Sequence, residues 1–171
     1  MNESGFWIAP LAVVLGLLFA GLFFRDMLRQ TQGTAEMQRI GAHVHRGAMA
    51  YLGQQYRIML LVFLLLALLF SWLAFGLKLQ SEWLPGAFLA GGFFSALAGY
   101  LGMQTATRAA PRTAAAARDS LPAALLIAFR SGAVMGLLVV SLGLGSVTSG
   151  FLLAGWLMPE AEDAGTRLVL I

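Results

Sequence analysis

Apolar positions in this chain form four long blocks, at residues 6–24, 58–77, 86–103 and 133–157, and polar side chains return between them. A helix rises about 1.5 Å per residue, so a hydrocarbon core about 30 Å thick takes about 20 helical residues to cross. Each block is close to that length or longer and none contains a charged residue, which predicts four transmembrane helices. The link at 25–57 reads differently. After Gly33, Thr34 has the side chain of a helix N-cap and Glu36 places an acid in the first turn. Met37, Ile40, Val44, Ala48, Tyr51 and Leu52 then recur at helical spacing and predict one apolar face on a helix leading toward the second block.

Within the blocks, small residues return every four positions on three stripes. These are Ala12, Gly16 and Ala20; Ala87, Gly91, Ser95 and Gly99; and Ala128, Gly132 and Gly136. Small side chains let helix backbones approach closely, and close contact is what attracts helices to one another in lipid. Those faces therefore expect helix neighbours. The block at 58–77 is bulky nearly all round, as suits a lipid-facing helix, and Trp72 and Trp83 lie toward its far end, where an aromatic belt belongs.

Composition agrees with a membrane chain. Of 171 residues, 59% are hydrophobic and only 11% charged, and the mean hydropathy is +0.80, whereas soluble domains carry about 25% charged residues. The block at 6–24 has Glu3 before it, no basic residue there and no small-x-small cleavage site after it, so it reads as a retained anchor rather than a signal peptide. Apart from Arg130, which stands at the start of the fourth span on the same side, eight of the eleven basic residues fall in two alternate links: Arg25, Arg29, Arg39, Arg46 and Arg57 in 25–57, and Arg108, Arg112 and Arg118 in 104–132. The positive-inside rule then makes those links cytoplasmic and places both termini outside. In particular, the alanine- and arginine-rich stretch "ATRAAPRTAAAARDS" reads as a cytoplasmic loop.

Arg130 needs its own placement, because apolar residues 121–129 precede it. One helix over residues 121–158 would be about 57 Å long at about 1.5 Å per residue, nearly twice the core thickness. A helix that starts at the cytoplasmic surface and enters the bilayer near Gly132 leaves Arg130 at the boundary and avoids about 2.5–3.5 kcal/mol of insertion cost. The alternative is a buried Arg130 paired with an acid elsewhere.

Candidate chemistry is sparse. There is no cysteine, which removes disulfides, thiolate metal sites and cysteine nucleophiles together. His43 and His45 invite a metal site, but at i and i+2 they point to different sides of a helix and no carboxylate pair completes a ligand set. No nucleophile elbow, phosphate-binding loop or H-E-x-x-H motif is present. No catalytic, cofactor-binding or metal-binding residue is assigned, and no nucleic-acid partner is expected.

Three stretches do carry a resemblance: "GTAEMQRIGAHVHRGAMAYLGQQYR" at 33–57, "FLAGGFFSALAGYLGMQTATRAAPRTAAAA" at 88–117 and "SLPAALLIAFRSGAVMGLLVVSLGL" at 120–144. In this order they resemble the N-terminal region of membrane-bound, ion-translocating inorganic pyrophosphatases. The resemblance singles out Arg112, in R-T-A-x-A-A, and Arg130, in A-F-R-x-G-A, while Arg108 matches no fixed element. Arg46 and Pro111 depart from the family pattern and put local loop geometry in doubt.

The resemblance implies an all-α integral membrane fold in which this chain is a four-helix fragment of a bundle of about sixteen helices. It further implies a pump that couples hydrolysis of inorganic pyrophosphate, as its Mg2+ complex, to transport of protons or sodium ions across a bacterial inner membrane. The intact enzyme would be a homodimer, with substrate and metal held by carboxylates on later helices. This segment would supply outer supporting helices and be inactive alone. Its expected contributors are the anchoring and packing residues Arg112, Arg130, Gly91, Ser95, Gly99, Gly132 and Gly136, with lipid and the remaining helices as partners. The terminal "RLVLI" reads as the start of a fifth span. The alternative function is a stand-alone four-helix membrane scaffold or subunit. A small transporter with its own substrate path is weakened by the lack of any acidic residue inside a block.

Overall fold

A computed structural model of the chain describes residues 7–77 and 84–157, with side chains to residue 152. Glu3, Trp83 and the terminal "RLVLI", named above, lie outside the described residues. The described residues fold into four helices: α1 (Ile8–Leu28), α2 (Ala35–Ser71, continued by a π-helical turn at Trp72–Gly76), α3 (Leu84–Asp119) and α4 (Leu121–Leu157). All four are long and apolar enough to cross a membrane. Each covers one apolar block, and three of them run far beyond it.

Local chemistry explains where the helices start. Pro10, Pro85 and Pro122 each sit in a first turn, where a missing N–H costs nothing. Thr34 caps α2 by accepting from Met37 N at 3.4 Å, and Gly33 enters that cap with φ 79°, a left-handed conformation suited to glycine. Thr31 Oγ1 accepts from Gly33 N at 3.2 Å and Gln38 Nε2 donates to the Gly33 carbonyl at 3.1 Å, closing the α1–α2 turn. Between α3 and α4 stands Ser120 alone, whose hydroxyl accepts from Ala123 N at 3.4 Å.

That joint corrects one expectation. The alanine- and arginine-rich stretch at 106–120 is not a loop: all but Ser120 is the last part of α3, and Pro111 stands inside the helix. Alanine is the strongest helix former, and its run outweighs the one hydrogen bond that proline removes. Arg46 likewise lies within α2, so neither departure from the family pattern falls in a loop.

In space the order of neighbours is α2, α3, α4, α1. Helix α4 packs along both α3 and α1, α2 packs on α3, and α1 and α3 barely touch. Buried positions on α4 are Ala124, Ile127, Val134, Ser141 and Thr148. From Ile127 onward they repeat every seventh residue, the spacing of helices crossing at a shallow angle of about 20°. The α1–α4 crossing is tightest at Gly16, where an added methyl would overlap the Ser141 hydroxyl. At the α2–α3 crossing a methyl on Gly92 would overlap the Phe63 ring, Phe63 stacks on Phe88 at 4.9 Å, and Tyr56 donates to the Ala96 carbonyl.

The packed face of α2 is rotated from the expected one. Met37, Gly41, His45, Ala48, Leu52 and Tyr56 turn inward, whereas Ile40, Val44 and Tyr51 are exposed. A half-buried histidine thus takes a place that apolar spacing alone gives to its neighbours. From Leu60 to Leu68 the same helix exposes leucines broadly, as a lipid-facing surface does.

Gly16→Val in the full-length protein is expected to overpack the α1–α4 crossing and cost about 1–3 kcal/mol. A lowered melting temperature in detergent would show it, and adding Ser141→Gly should recover most of the loss.

Candidate functional site

The best-built polar site lies where α1 ends. Its core is Met27, fully buried, packed against Ala109 of α3 and Ile127 of α4, with Phe24, Leu28 and Ala116 around it. A helix ending against a protein core leaves carbonyls that need donors. Backbone N–H groups of Arg29 and Gln30 reach the carbonyls of Arg25 and Met27 at 3.2 Å each. Arg112, on α3, supplies two further donors: Nε donates to the Gln30 carbonyl at 3.2 Å and Nη2 to the Leu28 carbonyl at 3.4 Å. Its Nη1 donates to the Arg108 carbonyl one turn back at 2.6 Å.

Arg112 is only 7% exposed. It lies beyond the apolar block of α3, and burial first, then the like charge of Arg108, lower its pKa from the ordinary arginine value. The guanidinium nevertheless stays charged at neutral pH, and a cation at the negative end of the α1 dipole is favourably placed. Planar donors in a fixed fork reach three carbonyls at once, which a lysine ammonium on a single stem does not.

Arg130 stands near the same junction on α4, with Nη2 3.9 Å from Asp26 Oδ2 of α1; the two side chains are 26% and 46% exposed. It is neither fully buried nor unpaired, so features of both expectations coexist. An ion pair this open contributes about 0–1 kcal/mol.

The small-residue positions divide. Gly99 lets the Tyr56 hydroxyl approach, since a Cβ there would stand 3.1 Å from it. Gly91, Gly132 and Gly136 have open space where a Cβ would stand, and Ser95 is exposed. Of the stripe on α1, Ala20 is buried and Gly16 meets α4. Spacing alone missed Gly92 and Gly102, the latter lying under Met135, because it cannot say which of several small residues faces a neighbour.

The two histidines go separate ways. His43 Nδ1 lies 3.4 Å from Arg46 Nη2 on the outside of α2. His45 Nδ1 lies 2.7 Å from Thr107 Oγ1 on α3. The Thr107 hydroxyl donates to the Met103 carbonyl at 2.8 Å, which leaves its lone pairs for His45 and assigns Nδ1 as the donor. Among the described residues no three His, Asp or Glu side chains gather to hold a metal ion. The described acids are Asp26 beside Arg130, Glu36 paired with Arg39 at 3.1 Å, and Asp119 at the end of α3. This donor set does not fit a divalent-metal centre, which needs clustered oxygen ligands.

Residues 14–169 match the family model described as inorganic H+ pyrophosphatase. The chain belongs to the inorganic H+ pyrophosphatase family. It is 54% identical over 159 residues to a protein of Bacteroides thetaiotaomicron named as a K(+)-stimulated pyrophosphate-energized sodium pump, covering 93% of this chain and 22% of that protein. Against a K(+)-insensitive pyrophosphate-energized proton pump of Moorella thermoacetica the identity is 43%, over 85% of this chain and 21% of the relative. A proton pump of Methanosarcina mazei bearing the same K(+)-insensitive description is 40% identical over 90% of this chain and 22% of its own length. The chain therefore spans about a fifth of the length of these curated relatives. Membership of this membrane family and four long apolar helices make it an integral membrane chain.

Arg112→Lys in the full-length protein is expected to leave the α1 carbonyls short of donors and to cost about 1–3 kcal/mol. Arg108→Lys, at an exposed position, should stay within about 0.5 kcal/mol of the parent. Thermal unfolding of the two variants side by side measures the difference.

Proposed function

We infer that this chain is the N-terminal part of a pyrophosphate-energised ion pump, one that couples hydrolysis of inorganic pyrophosphate to movement of protons or sodium ions across a membrane. The observation that carries the reading is the family match over residues 14–169, joined to 54% identity with a pyrophosphate-energized sodium pump. In this reading the four helices are outer supports. The open faces at Gly91, Gly132 and Gly136 receive the remaining helices of the same pump, and Arg112 and Arg130 fix the cytoplasmic end of α1. Pyrophosphate and Mg2+ are bound by residues outside this segment, and the intact pump is a homodimer in a bacterial inner membrane.

Charge supports the orientation. The links at 25–57 and 104–132, which with Arg130 carry nine of the eleven basic residues, face the cytoplasm and both termini of the segment lie outside. The polar junction at the end of α1 is then a cytoplasmic structure.

Membrane vesicles containing the full-length protein are expected to release phosphate from pyrophosphate in a Mg2+-dependent way and to take up protons or sodium ions as they do so. Residues 1–171 expressed alone should release none above an empty-membrane control. Vesicles without hydrolysis would defeat the pump reading and favour a scaffold.

For orientation, single cysteines in a cysteine-free background report directly. Ala35→Cys and Ala117→Cys, both at exposed positions, should react with an impermeant maleimide only after cell disruption, and Ala161→Cys in intact cells. The reverse pattern would invert the proposed topology.

A further inference from the structure

Because α1 and α3 barely touch while both pack on α4, a crevice opens between them. It has a volume of about 420 Å3. Its walls are apolar along Leu17, Gly21 and Phe24 of α1, Leu101 of α3 and Leu138 of α4. A second hollow of about 320 Å3 lies between α3, the start of α2 and the end of α1, and its lining includes Gln32, Gln38, His45 and Arg112. Arg108 lines both.

Three further observations define what such a pair of hollows could hold. The Arg108 side chain makes no hydrogen bond or ion pair among the described residues, although it stands one turn from Arg112, which donates to the Arg108 carbonyl and to the carbonyls of Leu28 and Gln30. No carboxylate lines either hollow. Two like charges at i and i+4 repel, and an anion beside Arg108 would relieve that repulsion. Finally, Gln104 Oε1, on the crevice wall, is buried with no hydrogen-bond partner among the described residues, while its Nε2 donates to the Tyr100 hydroxyl at 2.9 Å.

We propose that the crevice between α1 and α3 is a binding site for one anionic phospholipid, its acyl chain lying along Gly21 and its phosphate meeting Arg108. Arg108 stands five residues beyond the apolar block that ends at Met103, about 7–8 Å farther along the helix, which is headgroup height. An apolar slot ending at an unpaired cation, with a polar hollow past it, matches an amphiphile from tail to head. A free phosphate ion would use the polar hollow and leave the apolar crevice empty. The enclosed Gln104 oxygen lies at the depth of the lipid's glycerol region, where a headgroup hydroxyl or an accompanying water donates to it. The site goes beyond the pump reading and does not require it; only the choice of the cytoplasmic leaflet rests on the proposed orientation.

The test uses the full-length protein in nanodiscs containing a phosphatidylglycerol probe with a photoactivatable acyl chain, with peptide mapping of the cross-links. Peptides covering residues 17–24 and 100–108 should be labelled several-fold more by this probe than by the matching phosphatidylcholine. Arg108→Glu should remove that preference and Arg108→Lys should retain it. Gly21→Leu adds bulk where a Cβ meets nothing within 4 Å, so it should block labelling of both peptides without altering charge or the fold. Inorganic phosphate at millimolar concentration should leave the labelling unchanged. Equal labelling by the two lipids, or indifference to Arg108→Glu, would reduce the crevice to ordinary lipid contact and overturn the proposal. Absence of labelling in a protein with an unchanged melting temperature would mean that another helix of the pump fills the crevice, and overturns it equally. Loss of labelling on phosphate addition would reassign Arg108 to a soluble anion.

Discussion

A helix that stops against other helices must find donors for its last carbonyls, and at the end of α1 two backbone N–H groups are joined in that task by one side chain from another helix. Arg112 reaches the carbonyls of Leu28 and Gln30 across more than eighty residues of sequence. The junction around Met27, the turn into α2 and the approach of α3 to α1 all converge on that fork. Because α1 and α3 share little surface elsewhere, the arginine is their main direct tie. A buried cation held only by neutral carbonyls also needs the dipole of α1 behind it. Position and charge are therefore set together.

Around that junction the bundle is organised by close approach more than by bulk. Gly16 against Ser141, Gly92 against Phe63 and Gly102 against Met135 are three crossings where a larger residue would force helices apart. Dispersion contacts of this kind replace the hydrophobic effect once lipid is the solvent. The exposed leucines of α2 then need no partner, since lipid chains receive them as well as a protein core would.

The sequence disclosed the four helices and the cap at Thr34, because apolar length and a threonine ahead of an acidic first turn are local signals. It did not disclose that residues 106–119 continue α3, because arginines placed there by the positive-inside bias look alike in a loop or on a helix. Nor did spacing identify the inward faces. The stripe at Ala128, Gly132 and Gly136 is as regular as any, yet α4 buries Ile127, Val134 and Ser141 instead. Which face is inward depends on neighbours, and much of the family's chain lies outside this segment. Arg112 stood out through the resemblance. Its acceptors are backbone carbonyls at the end of a distant helix, which no residue pattern announces.

The position of α4 has a consequence for how the segment is made. Helix α1 is synthesised first and finds its main surface on α4, which is synthesised last, while α2 and α3 pair with each other in between. At about 5–20 residues per second, α1 waits on the order of ten seconds for that surface to appear. During the wait the Gly16 face and the carbonyls at its end are without their final partners. Helix α3 arrives with Arg112 before α4 is complete, and the one-residue joint at Ser120 delivers α4 directly beside it. The chain thus supplies the clasp before the helix it clasps has its seat.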